Sequence, residues 1–151
     1  MTSAIELGLA REIIEQAADA IIFADIHGVI QSWNRAATAT FGFSGTEAVG
    51  QSLDIIIPTH LRGAHWAGFH RAMESGETRL AGHATITRAL HRNGRRLYVE
   101  MSFAVVRDPA GTIAGSVAVA RDVTLRYANE KAGQRVSREK THSATVKPPS
   151  P

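Results

Sequence analysis

The stretch "HRNGRRLYVEMSFAVVRDPAGTIAGSVAVARDVT", residues 91–124, decides how the chain is read. Leu97, Val99, Met101, Phe103 and Val105 alternate with Tyr98, Glu100, Ser102 and Ala104, a period of two that marks a strand with one apolar face. The turn tripeptides "RNG" (92–94) and "PAG" (109–111) flank it. "ATITRAL" (84–90) before and "TIAGSVAVARDVT" (112–124) after both read as strands. Three antiparallel strands are expected, and their apolar face needs a covering layer.

That layer must come from upstream. In "IIPTHLRGAHWAGFHRAM" (56–73), Leu61, His65, Phe69 and Met73 recur every fourth residue, with Ala64, Gly68 and Ala72 beside them. They share one face of a helix expected over 60–75, which follows Pro58 and which Gly76 can end. His65 therefore points where the core should be. Further upstream, "AIIFADIHGVIQSW" (20–33) reads as two strands around a turn at His27-Gly28. Asn34 caps a short helix, and Ser44 with Glu47 forms a second cap.

Both ends read as helical. "SAIELGLAREIIEQA" (3–17) opens with a capping box, Ser3 and Glu6, and repeats Ile5, Leu9, Ile13 and Ala17 at four-residue spacing. Residues 125–139 form a charged helix with a weak stripe of Leu125, Ala128, Ala132 and Val136, in which Gly133 costs roughly 1 kcal/mol. The expected organisation is an N-terminal helix over 1–12, a folded domain over 13–124, a helix over 125–139 and a disordered tail over 140–151.

Composition narrows the function. A length of 151 residues, 44% hydrophobic, suits one domain with a single core. No apolar run approaches the roughly 18 residues that span a bilayer, and the start lacks a secretory pattern, so a cytoplasmic protein without membrane contact is expected. Cysteine is absent, which removes disulfides, thiolate metal sites and cysteine nucleophiles. The net charge of +3 divides into +4 for residues 125–151 and −1 for residues 1–124, so the basic character belongs to the tail. Only Tyr127 interleaves with those tail charges, and nucleic-acid binding has little support.

"GVIQSWNRAATATFGFSGTEAVGQSLDIIIP" resembles the first half of a PAS domain and the 91–124 stretch its second half, including the closing "RDVT". The resemblance covers roughly residues 13–124. It implies an α+β fold with a five-stranded antiparallel sheet of order 2-1-5-4-3, short helices over one face and flanking N- and C-terminal helices that carry signals. Within the family, residues 56–73 look most like the oxygen-sensing bacterial histidine kinases that bind haem b through a histidine on the long helix. A gap-free match puts His65 at the iron ligand and Arg71 and Arg79 at propionate-contacting positions. It puts Val99, Met101 and Phe103 on the distal wall, and Thr85 where the family has the arginine that stabilises bound oxygen. Arg88 lies nearby but one odd step away in strand alternation.

The residue chemistry agrees with haem. A neutral imidazole in an apolar pocket can ligate iron, and a guanidinium about 9 Å along the helix can pair with a propionate. The bland alternative stays open: a histidine on an apolar face is commonly a core residue with backbone partners. Without the distal arginine, selective oxygen binding is not inherited, and nitric oxide, redox state and haem-independent signalling stay open. His60, His70, His83 and His91 lack ligand-like pairing and read as surface residues. No phosphate-binding Gly loop, GxSxG or HExxH motif occurs, so no enzyme is expected. The reading is thus a non-enzymatic sensor that binds haem b and signals as a homodimer to a kinase or transcription regulator; the alternative is a cofactor-free PAS module for dimerisation or small-molecule binding.

Overall fold

Five strands pair antiparallel in the order β2-β1-β5-β4-β3: β1 (Ala20–Asp25), β2 (Ile30–Trp33), β3 (Thr85–Leu90), β4 (Arg96–Arg107) and β5 (Ile113–Asp122). This is the order the resemblance implies. The computed structural model describes residues 3–79 and 82–144, with side-chain surroundings described through residue 139. Between β2 and β3 lie α2 (Arg35–Phe41), α3 (Gly45–Ala48), two 3₁₀ turns and α4 (Arg62–Ser75). These cover one face of the sheet.

The alternation read in 97–105 is the inner face of β4. Leu97, Val99 and Met101 are buried, and the central strand β5 faces them with the small residues Ser116, Ala118 and Ala120. Ile22 and Ala24 of β1, Ile30, Phe41, Leu53, Ile56 and Phe69 complete one cluster. Small residues on β5 let the helical layer approach closely; each Ala↔large pairing fills the space without a second core.

Asn34 fixes the junction of β2 and α2. It is 2% exposed, and its Oδ1 accepts from Ile21 N at 2.9 Å and from Ala37 N at 3.0 Å. Its Nδ2 donates to Ile14 O at 2.8 Å and to Asp19 O at 3.0 Å. One amide thus caps α2, binds β1 and holds the end of the N-terminal helix, with its whole hydrogen-bonding capacity used.

The terminal helices differ from expectation in extent. α1 spans Ala4–Gln16 with the capping box Ser3/Glu6 formed, and none of its residues is buried; Ile5 is 84% exposed. α5 spans Thr124–Ala144, so residues 140–144, expected in a disordered tail, are helical. The chain offers no glycine or proline after Gly133 until Pro148 to stop it. Residues 145–151 of that expected tail lie outside the described residues. α5 is tied to the outer face of β4: Tyr127 stacks on Tyr98 at 4.0 Å between ring centroids, and Arg126 pairs with Glu100 at 2.8 Å.

Candidate functional site

A cavity of about 220 Å³ lies between α4 and the sheet. α4 builds one wall with Ala64, His65, Gly68, Phe69, Ala72 and Met73, so the stripe read from the sequence and the small residues beside it face the same space. The opposite wall is Met101, Phe103 and Val105 of β4 with Ser116 of β5. Thr78, Arg79 and His83, from the connection between α4 and β3, border it. A Cβ built at Gly68 would meet only Arg71 Nη2, at 3.9 Å, so the absent side chain there leaves open room.

α4 is held at both ends. The Trp66 Nε1 donates to Asp54 Oδ1 at 2.8 Å, and the Trp66 ring lies against Gly28 in the β1–β2 turn, where a Cβ would collide with it. Gly28 has φ 77°, so the turn and the ring both demand glycine. Arg62 donates to Ile57 O and Asp54 O at 3.1 Å each. At the other end Gly76 adopts φ 77° and its N–H donates to Ala72 O. The helix is therefore a fixed wall, and the hydroxyl of Thr78 ties the following connection to Phe103 O at 3.4 Å.

His65 sits in this wall half-buried, beside Trp66 (4.8 Å between centroids), Phe69 (6.1 Å) and Phe103 (6.4 Å). Burial lowers its pKa from the ordinary 6.5; the Asp54 carboxylate works against that shift and His70 adds to it. The ring is thus held neutral near pH 7, the form that offers a lone pair. Its Nδ1 is buried and has no hydrogen-bond partner. A buried acceptor or donor left so costs roughly 1–3 kcal/mol. Among the described residues no group of three or more His, Asp or Glu could hold a metal ion.

The expected site residues divide. His65, Arg79, Met101 and Phe103 border the cavity. Arg71 is exposed on α4, with its guanidinium near Gly68 and outside the lining. Val99 does not line the cavity: it is fully buried in the main cluster, because at that depth along β4 core side chains fill the space. Thr85 pairs with Met101 yet is exposed at the sheet edge, also outside the lining. Arg88 lies across from Tyr98 with its guanidinium 6.0 Å from that ring, on the outer face, as strand alternation requires.

Thr78, Val105 and Ser116 were not singled out as site residues, and His83, read as a surface residue, is exposed yet borders the cavity. Val105 belongs to the alternating face and His83 shares the parity of Thr85, Thr87 and Ala89, so pattern alone could have found them. Ser116 comes into place only through the pairing of β5 with β4, opposite Val105.

The PAS fold family model matches residues 8–123. This chain belongs to the PAS fold family. The PAS domain is 32% identical over 92 residues to sensor protein FixL of Bradyrhizobium diazoefficiens, a match that covers 61% of this chain. It spans 18% of the length of the curated relatives it matches. A PAS domain from Colwellia psychrerythraea superposes with TM-score 0.68 at 21% identity, covering 78% of this chain and 97% of that one. An RNA-binding light-oxygen-voltage receptor gives TM-score 0.71 at 20% identity, covering 96% of this chain and 41% of that one. PAS domains are sensory modules that commonly dimerise and signal to kinases or regulators, so this PAS domain has a sensory role in signal transduction. Among the described residues no helix is long and apolar enough to cross a membrane.

Proposed function

We propose that this PAS domain is a non-catalytic, cytoplasmic sensor that binds haem b through His65 and relays ligand or redox state through its terminal helices. The observation that carries the reading is the neutral His65 ring, whose buried Nδ1 lacks a partner, in the wall of an apolar cavity. The donor chemistry suits the group, with an imidazole without a partner, small residues Ala64, Gly68 and Ala72 on the helix face and Met101 and Phe103 opposite, whereas the volume of about 220 Å³ is smaller than the macrocycle. Arg79 at the border and Arg71 beside Gly68 supply cations for propionates. The resemblance of residues 56–73 to haem-binding PAS domains supports the same assignment. When bound, haem supplies an iron centre that responds to diatomic gases and to redox poise.

The chain's own residues set how such a group is admitted. The cavity of about 220 Å³ is below the roughly 300–1,000 Å³ of organic-ligand pockets, so a macrocycle enters only if the cavity walls move apart. Ile5, Leu9 and Ile13 of α1 are exposed, and a homodimer covers them; a kinase or transcription regulator then reads the terminal helices.

The test is an absorption spectrum of protein expressed with ample iron. A Soret band and iron in roughly equal amount to chain are expected, and His65→Ala abolishes both. Unchanged haem in that variant overturns the ligand assignment. The cavity volume favours one second reading, a cofactor-free module for a smaller organic molecule; that reading is supported if iron-replete protein lacks a Soret band and a small apolar ligand raises its Tm.

A further inference from the structure

The hollow between α4 and the sheet matches a single small ring. A cavity of about 150 Å³ takes benzene, so one of about 220 Å³ has room for roughly eight or nine non-hydrogen atoms in proportion. Its apolar lining is soft and aromatic: Phe69 and Met73 come from α4, Met101 and Phe103 from β4. Phenyl and thioether groups favour an aromatic guest, through offset, edge and sulfur contacts with its ring. The polar groups of the two walls are uncharged. Burial keeps the His65 ring neutral near pH 7, and Ser116, 5% exposed, brings a hydroxyl to the sheet wall. Phe69 on the same helix and Phe103 on the sheet lie 6.1 and 6.4 Å from the imidazole between centroids. A polar group held at His65 therefore has phenyl rings on hand for the apolar body attached to it. Arg79, the cation of the lining, is exposed at the border, and a carboxylate drawn inside would lose hydration that the neutral walls do not replace.

We propose that the hollow binds an uncharged monocyclic phenol, its ring among Phe69, Met101 and Phe103 and its hydroxyl paired with the His65 imidazole. This rests on the second reading above, the cofactor-free module, and names its ligand class. Nδ1 of His65 has no hydrogen-bond partner, so the chain itself leaves polar capacity on the ring unfilled. A hydroxyl suits a neutral imidazole in either tautomer, because it can donate to the bare nitrogen or accept from the protonated one. A phenolic proton ionises only at about pH 10, so such a ligand enters uncharged at neutral pH. Selectivity follows from the same walls. A hydrocarbon of equal size fills the space but leaves the imidazole unpaired, and an acid of equal size brings a charge that the neutral walls do not match.

The experiment scans the purified full chain for Soret absorbance, then titrates it with p-cresol, p-xylene and benzoate by calorimetry and by Tm. p-Cresol is expected to bind and to raise Tm, and benzoate to bind at least about tenfold more weakly. The affinity ratio of p-cresol to p-xylene should fall roughly tenfold in His65→Leu, because the hydroxyl is then buried without a partner. Gly68→Leu should fill the hollow and abolish p-cresol binding while the far-ultraviolet circular dichroism stays unchanged. An unchanged ratio in His65→Leu overturns the role of the imidazole and leaves the small-ligand reading intact. Benzoate that binds as tightly as p-cresol overturns the uncharged class and transfers recognition to Arg79. p-Cresol binding that survives in Gly68→Leu overturns the site. No binding of any probe to haem-free protein overturns the phenol class alone, whereas a Soret band with one haem per chain overturns the cofactor-free reading along with it.

Discussion

Asn34 and His65 are both polar side chains set among apolar neighbours, and they are treated in opposite ways. Asn34 uses both amide protons and accepts twice, tying α1, β1 and α2 to one point. His65, across the helical layer, leaves Nδ1 buried without a partner. The first arrangement is complete within the chain and is structural. The second leaves a buried polar atom unpaired, the observation behind the proposed ligand role.

The comparison can be broken hardest at Asn34. Asn34→Ala removes a helix cap and strands buried groups on three elements, so urea denaturation should register a loss of about 3 kcal/mol. A loss near zero would remove the contrast. Trp66→Phe deletes both the donor to the partly exposed Asp54 and the far edge of the ring that lies against Gly28, and should cost about 2 kcal/mol in the same assay. Gly68→Ala should do the reverse, raising stability by about 0.8 kcal/mol through helix propensity while weakening whatever occupies the cavity, as a ligand titration would record.

Substitution at His65 sharpens the contrast because it should cost little. His65→Leu replaces an unsatisfied ring with an apolar one, and a change within about 0.5 kcal/mol is expected even though ligand binding is lost. Its pH dependence carries the smallest effect. Burial makes the folded ring harder to protonate than the unfolded one, so stability is full above about pH 6.5 and declines as pH falls from there. The Tm of the wild type should therefore fall further than that of His65→Leu between neutral pH and about pH 5.5.

Much of this was legible in local sequence. The caps at Ser3, Asn34 and Ser44, the stop at Gly76 and the alternation from Leu97 to Val105 each act within a few residues, and all take their expected form. The site was legible where it coincides with those periodicities, as at His65, Met101 and Phe103. It was obscure where position depends on pairing between distant strands. Val99 carries the right alternation but lies too deep, and Ser116 enters the cavity because β5 runs beside β4 rather than through any feature of its own neighbourhood. α1 shows a different gap: its stripe is plain in the sequence, but what covers Ile5, Leu9 and Ile13 is not written in it.

Strand β4 has two readers. Met101 and Phe103 look toward the hollow, while Tyr98 and Glu100, on its other side, grip Tyr127 and Arg126. A pleated ribbon is thin and stiff, so crowding against one side is felt on the other without any rearrangement of the core between. The tyrosine stack thus sits where a push on the sheet from within would reach the long helix outside.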